Sequence, residues 1–389
     1  MKHIDKTLLQ YLKDSLKTSN YLASQRAVTV NGIYKASENQ FLSAKHTTIF
    51  SNEIKSGGIT DQKNSGTCWL FSTLNILRHE MAENLKLEEF ELSQSYCLFY
   101  DKLEKSNTFY ENIIATANKP LNDRLVEYYM ISPQYDGGWW EMSAAVIQKY
   151  GVVPSTVMPA AESVTNTTQL NRVLNQKLRK DALLLRQLAK EKKSGKVIDG
   201  AKQKMLSEIY KILIVSIGTP PESFEFVYRD SDKKYHREVE MTPKDFLKKH
   251  SKLKLDNYIS LANDPTPSKK YDQLYVIENS NNAMDGLAFT FLNVEMSQLK
   301  DLARKQILLN EAVWFGCDIM SDSTKKGYMT TDIYDFKSTF EVDFVLSKAE
   351  RLLTRDSGVT HAMTLTGVDI IEGKTVQWKV ENSWGKDVG

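Results

Sequence analysis

The hydrophobic residues of this chain recur at two different spacings, which separates a helical part from a strand-rich part. Apolar positions three or four apart predict an amphipathic helix over residues 4–17 and a stronger helix that begins at Cys68. A further helix is predicted from Ser93, a residue type that caps helix N-termini. Another follows Gly138 and is predicted to end near Gly151.

The middle of the chain carries a second long run of helical spacing. Leucines recur at helical positions over residues 168–193, and a shorter helix is predicted over residues 202–214, after a break at Asp199-Gly200. These two helices are predicted to form a hairpin that is inserted into a larger fold. Residues 225–310 mix short runs that favour strands with one more helix, predicted over residues 297–308.

The C-terminal part is rich in β-branched and aromatic residues, which favour strands. Strands are predicted over residues 313–319, 360–371 and 375–383. The last two flank Glu372-Gly373-Lys374, which is typical of a hairpin turn. A hairpin with His361 opposite Asn382 places its turn within one residue of this segment. The pairing therefore brings an amide oxygen within reach of an imidazole.

Composition narrows the class of protein. A chain of 389 residues predicts two or three structural units, and 41% hydrophobic with 26% charged residues is ordinary globular usage. The net charge of +2 does not indicate a polyanionic partner. No apolar run reaches the length of a membrane span, and the N-terminus lacks a signal-peptide pattern, so no membrane association is expected. The three cysteines are too few and too widely spaced to indicate a disulfide framework, so the protein is predicted to reside in the reducing cytoplasm.

Cys68 lies where a helix begins, after a glycine-containing loop. Unpaired N–H groups and the helix dipole favour a negative charge there, so the sequence predicts a lowered thiol pKa and a thiolate nucleophile. Such a nucleophile needs a base. His79 lies eleven residues along the same helix, about 16 Å away at ~1.5 Å per residue, and cannot reach. His361 beside Asn382 is therefore the predicted base.

A cysteine hydrolase also needs donors for the oxyanion. Gln62, six residues before Cys68, is predicted to supply a side-chain N–H, and the backbone N–H of Cys68 a second one. Cys97 and Cys317 are predicted to be core residues.

These residues fall into ordered motifs. Gln62, Cys68-Trp69, His361-Ala362 and Asn382-Ser383-Trp384-Gly385 resemble the motifs of papain-like cysteine peptidases. The 293 residues from Cys68 to His361 exceed the 130–150 of that group, which fits the helical insertion. Together with the segments that begin at Asp136, Lys149, Val313 and Thr360, the pattern resembles the bleomycin hydrolase / aminopeptidase C family over nearly the whole chain.

The resemblance implies an α+β, papain-like two-lobe fold with a large helical insertion. It implies a cytosolic thiol aminopeptidase that acts on peptides, assembles as a homohexamer and needs no metal or organic cofactor. The resemblance implies that Cys68 is the nucleophile and His361 the general acid and base. It implies that Asn382 orients the histidine and that Gln62 is an oxyanion donor. It further implies that Trp384 shields the His361–Asn382 hydrogen bond from water. The peptide cleft would be lined by Asp136, Gly137 and Gly138.

Four parts of the chain are predicted. Residues 1–55 form an N-terminal helix and arm, and residues 56–160 a helical lobe with the nucleophile. Residues 161–310 form the mainly helical insertion, an oligomerisation element, and residues 311–389 the β-rich lobe with the histidine and asparagine. The family resembled continues with further strands and a C-terminal arm that restricts cleavage to free N-termini. Because this chain stops at Gly389, a truncated lobe is expected and endopeptidase-like action stays open.

Two other functions stay open. One is a nucleic-acid-associated scaffold on the same fold, since residues 177–204 contain ten basic and three acidic residues, although a solvated helix face explains them too. The other is a transglutaminase-like acyl transfer to an amine. A zinc peptidase is excluded because His79-Glu80 lacks the second histidine of that motif, residue 83 being Glu.

Overall fold

The computed structural model describes residues 3–16, 21–55, 57–320 and 322–386. Residue 17 of the first predicted helix and residues 387–389 of the predicted β-rich lobe lie outside this part. The described helices are, in chain order, α1 (Lys6–Ser15), α2 (Leu22–Asn31), α3 (Ile33–Ser37), α4 (Gln40–Ser43), α5 (Cys68–Leu85), α6 (Gln94–Ala115), α7 (Arg124–Ile131), α8 (Trp140–Tyr150), α9 (Glu162–Thr165), α10 (Thr168–Lys190), α11 (Gly195–Ile217), α12 (Pro243–His250), α13 (Met296–Leu308), α14 (Phe336–Phe340) and α15 (Lys348–Thr354).

The described strands form three sheets. They are β1 (Asn52–Glu53), β2 (Phe224–Arg229), β3 (Tyr235–Met241), β4 (Ser260–Ala262), β5 (Gln273–Val276), β6 (Thr290–Asn293), β7 (Val313–Cys317), β8 (His361–Ile371) and β9 (Lys374–Glu381). In the largest sheet β8 pairs antiparallel with β9, β7 and β1. Strands β2 and β3 form a hairpin, and β6 lies between a parallel β4 and an antiparallel β5.

Contacts divide the chain into two compact units. One comprises Met1–Thr48 and Asp318–Gly358, which contain α1 to α4, α14 and α15. The other comprises Ile49–Cys317 and Val359–Gly389 and contains all the residues singled out for chemistry. The four-part division expected from the sequence follows lobes rather than contacts and stays a prediction.

Helix α5 lies at the centre of the larger unit. Its side chains from Trp69 to His79 are all buried, so it is enclosed on every side rather than amphipathic. Ser72 Oγ donates to the carbonyl of Met363 at 2.6 Å, which joins α5 to β8. Thr73 and Ser143 share a hydrogen bond of 2.7 Å, which joins α5 to α8. The helix is thereby fixed between the sheet and the helical layer.

The predicted helical hairpin is confirmed by α10 and α11, and the helices predicted from Ser93 and after Gly138 are confirmed by α6 and α8. One detail of the hairpin is wrong. Asp199-Gly200 does not interrupt it, because α11 runs continuously from Gly195 to Ile217. A glycine within a helix costs only about 1 kcal/mol. Burial of Met205, Ile209 and Leu213 outweighs that cost.

The β8–β9 hairpin is confirmed, but its predicted register is wrong. Glu372 and Gly373 both have positive φ, of 50° and 76°, as a tight hairpin turn requires. Glu381 then lies opposite Thr364, so that Asn382 follows one position beyond and is diagonal to His361 rather than opposite it. The turn is centred between Glu372 and Gly373, one position later than the predicted pairing requires, and the two register irregularities of the hairpin, one in each strand, cancel. Both side chains still share one face of the sheet.

Gly151 ends α8 with a φ of 82°, a conformation that residues with a Cβ rarely adopt. A Cβ there would lie 2.3 Å from the backbone carbon of Pro243 and 2.5 Å from the nitrogen of Lys244. Gly151→Ala combines a strained φ with backbone overlap at the start of α12. We expect it to lower the free energy of unfolding by about 2–4 kcal/mol, measured by urea denaturation.

Gly200→Ala is the matched control. This glycine lies within α11 with nothing within 4 Å of its Cβ position, so alanine is expected to stabilise by up to about 1 kcal/mol. Equal stability of the two variants would contradict the role given to Gly151.

Candidate active site

Cys68 is the first residue of α5, as predicted, and is partly exposed. Burial raises the pKa of its thiol, although the N–H groups of Ala362, Trp69 and Cys68 itself act in the opposite direction. The expected lowering of the pKa is therefore wrong for this thiol. Helix-end N–H groups are present as the sequence indicated, but the loss of solvent outweighs them.

His361 and Asn382 are brought together. The imidazole donates from Nε2 to Oδ1 of Asn382 at 2.7 Å, and both residues are buried. This bond leaves Nδ1 as the basic nitrogen of the neutral ring. Burial lowers the pKa of His361, and the bond to Asn382 partly opposes that shift. The ring is therefore held neutral and in one orientation.

The backbone that follows His361 lies beside the thiol of Cys68. The N–H of Ala362, the residue after His361, is directed at the thiol of Cys68. The Ser72–Met363 hydrogen bond fixes the same stretch of β8 one helical turn further along α5. Chain segments 293 residues apart are thus joined at adjacent points.

Trp384 covers the histidine. Its ring stacks on the imidazole of His361 with centroids 4.8 Å apart and an angle of 28° between planes, while the residue itself remains 36% exposed. The indole therefore separates the His361–Asn382 hydrogen bond from solvent on one side.

Gln62 lies in a buried loop that is tied to the asparagine motif. Its backbone N–H donates to the carbonyl of Ser383 at 2.8 Å, and Gly385 donates to Thr60 at 3.0 Å. The side-chain nitrogen of Gln62 donates one N–H to the carbonyl of Ser65 at 2.7 Å. An amide nitrogen carries two N–H groups, so a second one is left for another acceptor.

The segment from Asp136 to Gly138 lies against the residue after the nucleophile. Trp69 Nε1 donates to the carbonyl of Asp136 at 2.5 Å, and a Cβ on Gly138 would lie 2.5 Å from the Trp69 ring. Only glycine permits that approach. The Asp136 carboxylate accepts from Lys102, Asn171 and Thr167. Burial opposes ionisation, but these partners lower its pKa to about 2.

Sequence reasoning missed a buried ionic cluster behind the asparagine. Glu381 pairs with Arg78, and His79 Nε2 lies 3.0 Å from its second oxygen, with all three side chains at most 4% exposed. Arg78 Nε also donates to Asn75, which contacts Thr60 beside the glutamine loop. The signal in the sequence was that Arg78 and His79 follow the apolar residues Ile76 and Leu77 within α5.

Among the residues that the structure describes, no group of three or more metal-ligating side chains is present. In the same part of the chain, no helix combines the length and the apolar character that a membrane crossing needs. The roles assigned to individual site residues remain predictions, and the observed contact between two of them is the hydrogen bond from His361 to Asn382.

The chain is similar to known peptidases in both sequence and structure. The Peptidase C1-like family matches residues 3–389. The chain is 42% identical over 384 residues to "Aminopeptidase C" of Lactobacillus helveticus, which covers 98% of this chain and 86% of that protein. It is 45% identical over 365 residues to "Aminopeptidase G" of Lactobacillus delbrueckii subsp. lactis, covering 94% and 83%. The crystal structure of pepw from Lactobacillus rhamnosis HN001 matches with a TM-score of 0.97 and 46% identity, covering 100% and 87%.

The ionic cluster behind Asn382 is expected to stabilise the fold in a pH-dependent way. Burial would raise the pKa of Glu381, but His79 and Arg78 outweigh it and the net shift is downward. Glu381→Gln keeps the shape and leaves Arg78 unpaired, so we expect a loss of about 3–5 kcal/mol at pH 7. Because the pKa of Glu381 is lower in the folded than in the unfolded protein, its carboxylate stabilises the fold at pH values above the ordinary pKa of 4.5. This stabilisation is lost as the pH falls through the pKa of the folded state. The gap between wild type and variant should therefore narrow in acid, measured by urea unfolding from pH 7 to 3.5.

Glu53→Gln is the control, because Glu53 pairs with Lys379 on the same sheet at 34% exposure for both side chains. Its loss is expected to stay below about 1 kcal/mol. A Glu381 variant that is no weaker than this control at pH 7 would refute the importance of the buried cluster.

Proposed function

Because the chain belongs to the peptidase C1-like family and is a cysteine-type aminopeptidase, we propose that Cys68 is its nucleophile and His361 its general acid and base. The resemblance to the bleomycin hydrolase / aminopeptidase C family is confirmed, and the α+β papain-like fold with it. The observation that carries the assignment is the 2.7 Å hydrogen bond from His361 to Asn382, on a strand whose next N–H is directed at Cys68.

The reaction begins with a neutral pair. Nδ1 of His361 takes the proton of the Cys68 thiol as sulfur attacks the carbonyl carbon of the first peptide bond. The electron pair of the carbonyl moves to oxygen, and the oxyanion is bound by the N–H of Cys68 and the free side-chain N–H of Gln62. His361 then gives its proton to the leaving amine as the C–N bond breaks, which leaves a thioester.

Water completes the turnover. His361 removes a proton from water, whose oxygen attacks the thioester carbonyl, and the proton returns to the departing sulfur. Asn382 keeps the ring in one orientation through both steps, and Trp384 limits access of solvent to that bond. Burial raises the pKa of Cys68 and lowers that of His361, and both directions favour a start from the neutral forms.

We propose that Asp136, Gly137 and Gly138 line the cleft for the substrate backbone. Support comes from the open space beside Gly137, where nothing lies within 4 Å of a Cβ position, and from the contact of Gly138 with Trp69. The Asp136 carboxylate is engaged with Lys102, Asn171 and Thr167, so its contribution is to shape the segment.

We further propose that copies of the chain assemble as a homohexamer in the cytoplasm; both statements rest on the family resemblance. The proposed function does not include binding of nucleic acid. Several lysines in the basic stretch are paired with carboxylates, as Lys177 is with Glu208 and Lys202 with Glu111, which favours a solvated helix face.

Paired substrates test the function. A peptide amide with a free α-amino group should be hydrolysed, and the same compound with an acetylated N-terminus should be cut at least about 100-fold more slowly. Cys68→Ala should lower kcat by at least about 1000-fold, because no other group replaces the thiolate. Cys97→Ala, a change at a fully buried cysteine of α6, should keep wild-type activity.

Hydrolysis that survives Cys68→Ala would refute the nucleophile. Equal cleavage of the two substrates would leave the chemistry in place and refute restriction to N-terminal residues. Transfer of the acyl group to added amine in preference to water would favour the acyl-transfer alternative.

Asn382→Ala gives a pH test of the orienting role. The bond to Asn382 raises the pKa of His361, so its loss should lower that pKa further. The acid limb of kcat/KM should move to lower pH, while kcat falls by about 100-fold because the ring is no longer held. An acid limb at the wild-type position with unchanged kcat would contradict the role of Asn382.

A further inference from the structure

Helix α6 carries two deeply buried lysines that the proposed chemistry does not use. Lys102 and Lys105 are 0% and 3% exposed, a rare state for a charged side chain because removal from water is costly. Each is paired, Lys102 with Asp136 and Lys105 with Asp101, at 3.0 Å. Charge pairing accounts for two of their donors and leaves the others to explain.

The remaining donors converge on one short segment of backbone. Lys102 and Lys105 both donate to the carbonyl of Tyr135 at 3.0 Å, and Lys105 also donates to the carbonyl of Gly137 at 3.2 Å. The carbonyl between them, of Asp136, accepts from Trp69. Three successive carbonyls are thus bound from α5 and α6. The ammonium of Lys105 holds the first and the third.

This arrangement determines where the N–H groups point. In a trans peptide unit the N–H is directed opposite to the carbonyl. Binding of the carbonyls of residues 135–137 towards the two helices therefore turns the N–H groups of Asp136, Gly137 and Gly138 away from them. Those N–H groups are the ones able to bind carbonyl oxygens of a peptide in the cleft.

We propose that Lys105 is a positioning residue for substrate binding, whose ammonium fixes the Tyr135 and Gly137 carbonyls and so presents the cleft N–H groups to the peptide. The proposal rests on the proposed function, because it takes the segment as the wall of the substrate cleft. Lys105 touches neither Cys68 nor His361 and acts on KM rather than on the chemical steps.

The charge on Lys105 is open to titration. Burial lowers its pKa to about 8, with Lys102 acting in the same direction and Asp101 and Asp136 against it. The titratable and aromatic groups that face it are Asp101 and Lys102 on α6, Tyr135 and Asp136 on the segment, and the ring of Trp69 on α5. As pH rises through about 8 the amine loses a donor and its charge, so its hold on the carbonyls weakens.

The experiment removes both members of the pair. Asp101→Asn with Lys105→Met leaves no unpaired buried charge, which favours a folded variant. At pH 7 its KM for a peptide amide with a free α-amino group should rise at least about tenfold, as expected for loss of charge-assisted hydrogen bonds. Its kcat should stay within about threefold, and alkylation of Cys68 by iodoacetamide within about twofold, since neither needs the cleft N–H groups.

The matched control is Lys177→Met with Asp181→Asn. This pair also lies one helical turn apart, on α10, with side chains 18% and 6% exposed and no contact with the cleft segment. Its KM should equal that of wild type. An unchanged KM in the folded Asp101/Lys105 variant, an equal rise in the control, or a joint fall of kcat and alkylation rate would each overturn the proposal.

A pH series gives a second readout. The substrate amine titrates identically with every enzyme, so a KM that rises above pH about 8 more in wild type than in the double variant isolates Lys105. Asp101→Asn alone removes a group that raises the Lys105 pKa, so its KM should begin to rise at lower pH. If the double variant does not fold, this single variant decides, and an unshifted KM profile would overturn the proposal.

The two hypotheses fail differently. Activity that survives Cys68→Ala refutes the proposed function. Activity that depends on Cys68 but has a KM indifferent to the charge on Lys105 refutes only the positioning role.

Discussion

Helix α5 is enclosed by protein, and the candidate active site depends on how its polar side chains are satisfied. A buried polar group without a partner costs about 1–3 kcal/mol, so each one must find a hydrogen bond inside the fold. Four polar side chains of α5 have a partner on a different neighbouring element each. The pairs are Ser72 with Met363, Thr73 with Ser143, Asn75 with Thr60, and Arg78 with Glu381. The helix that carries the nucleophile thereby sets the positions of the histidine strand, the glutamine loop and the asparagine.

The same burial decides the electrostatics of the thiol and the imidazole. The start of a helix offers N–H groups that stabilise a thiolate, yet the pKa of Cys68 rises because the surroundings exclude water. Burial also lowers the pKa of His361, so both partners favour their neutral forms. In the proposed reaction, charge then develops only as the proton moves to the imidazole. The preorganised N–H groups stabilise this negative charge as it develops during the reaction rather than in the free enzyme.

The sequence predicted those features of the fold that local pattern determines. Spacing located α5, α6, α8, the helical hairpin and the three C-terminal strands, and residue chemistry singled out Cys68 and His361. It did not determine the exact centre of the β8–β9 turn or what depends on contacts between distant segments. The register of β9 is shifted so that Asn382 reaches His361 diagonally, and the direction of the Cys68 pKa follows from burial. Arg78 and Glu381 meet across 303 residues, which no local pattern encodes.

A loop with successive carbonyls directed inward shows why lysine is suited to this fold. The segment from Tyr135 to Gly137 belongs to no helix or strand, so neither kind of backbone ladder supplies donors for its three carbonyls. The donors must come from side chains, and a lysine ammonium offers three from a single point. Its buried charge then requires carboxylates, which Asp101 and Asp136 supply. Asp136 belongs to the loop itself, so the need for donors and the need for charge balance are met within one cluster, and the shape of the loop and the charge beneath it are coupled.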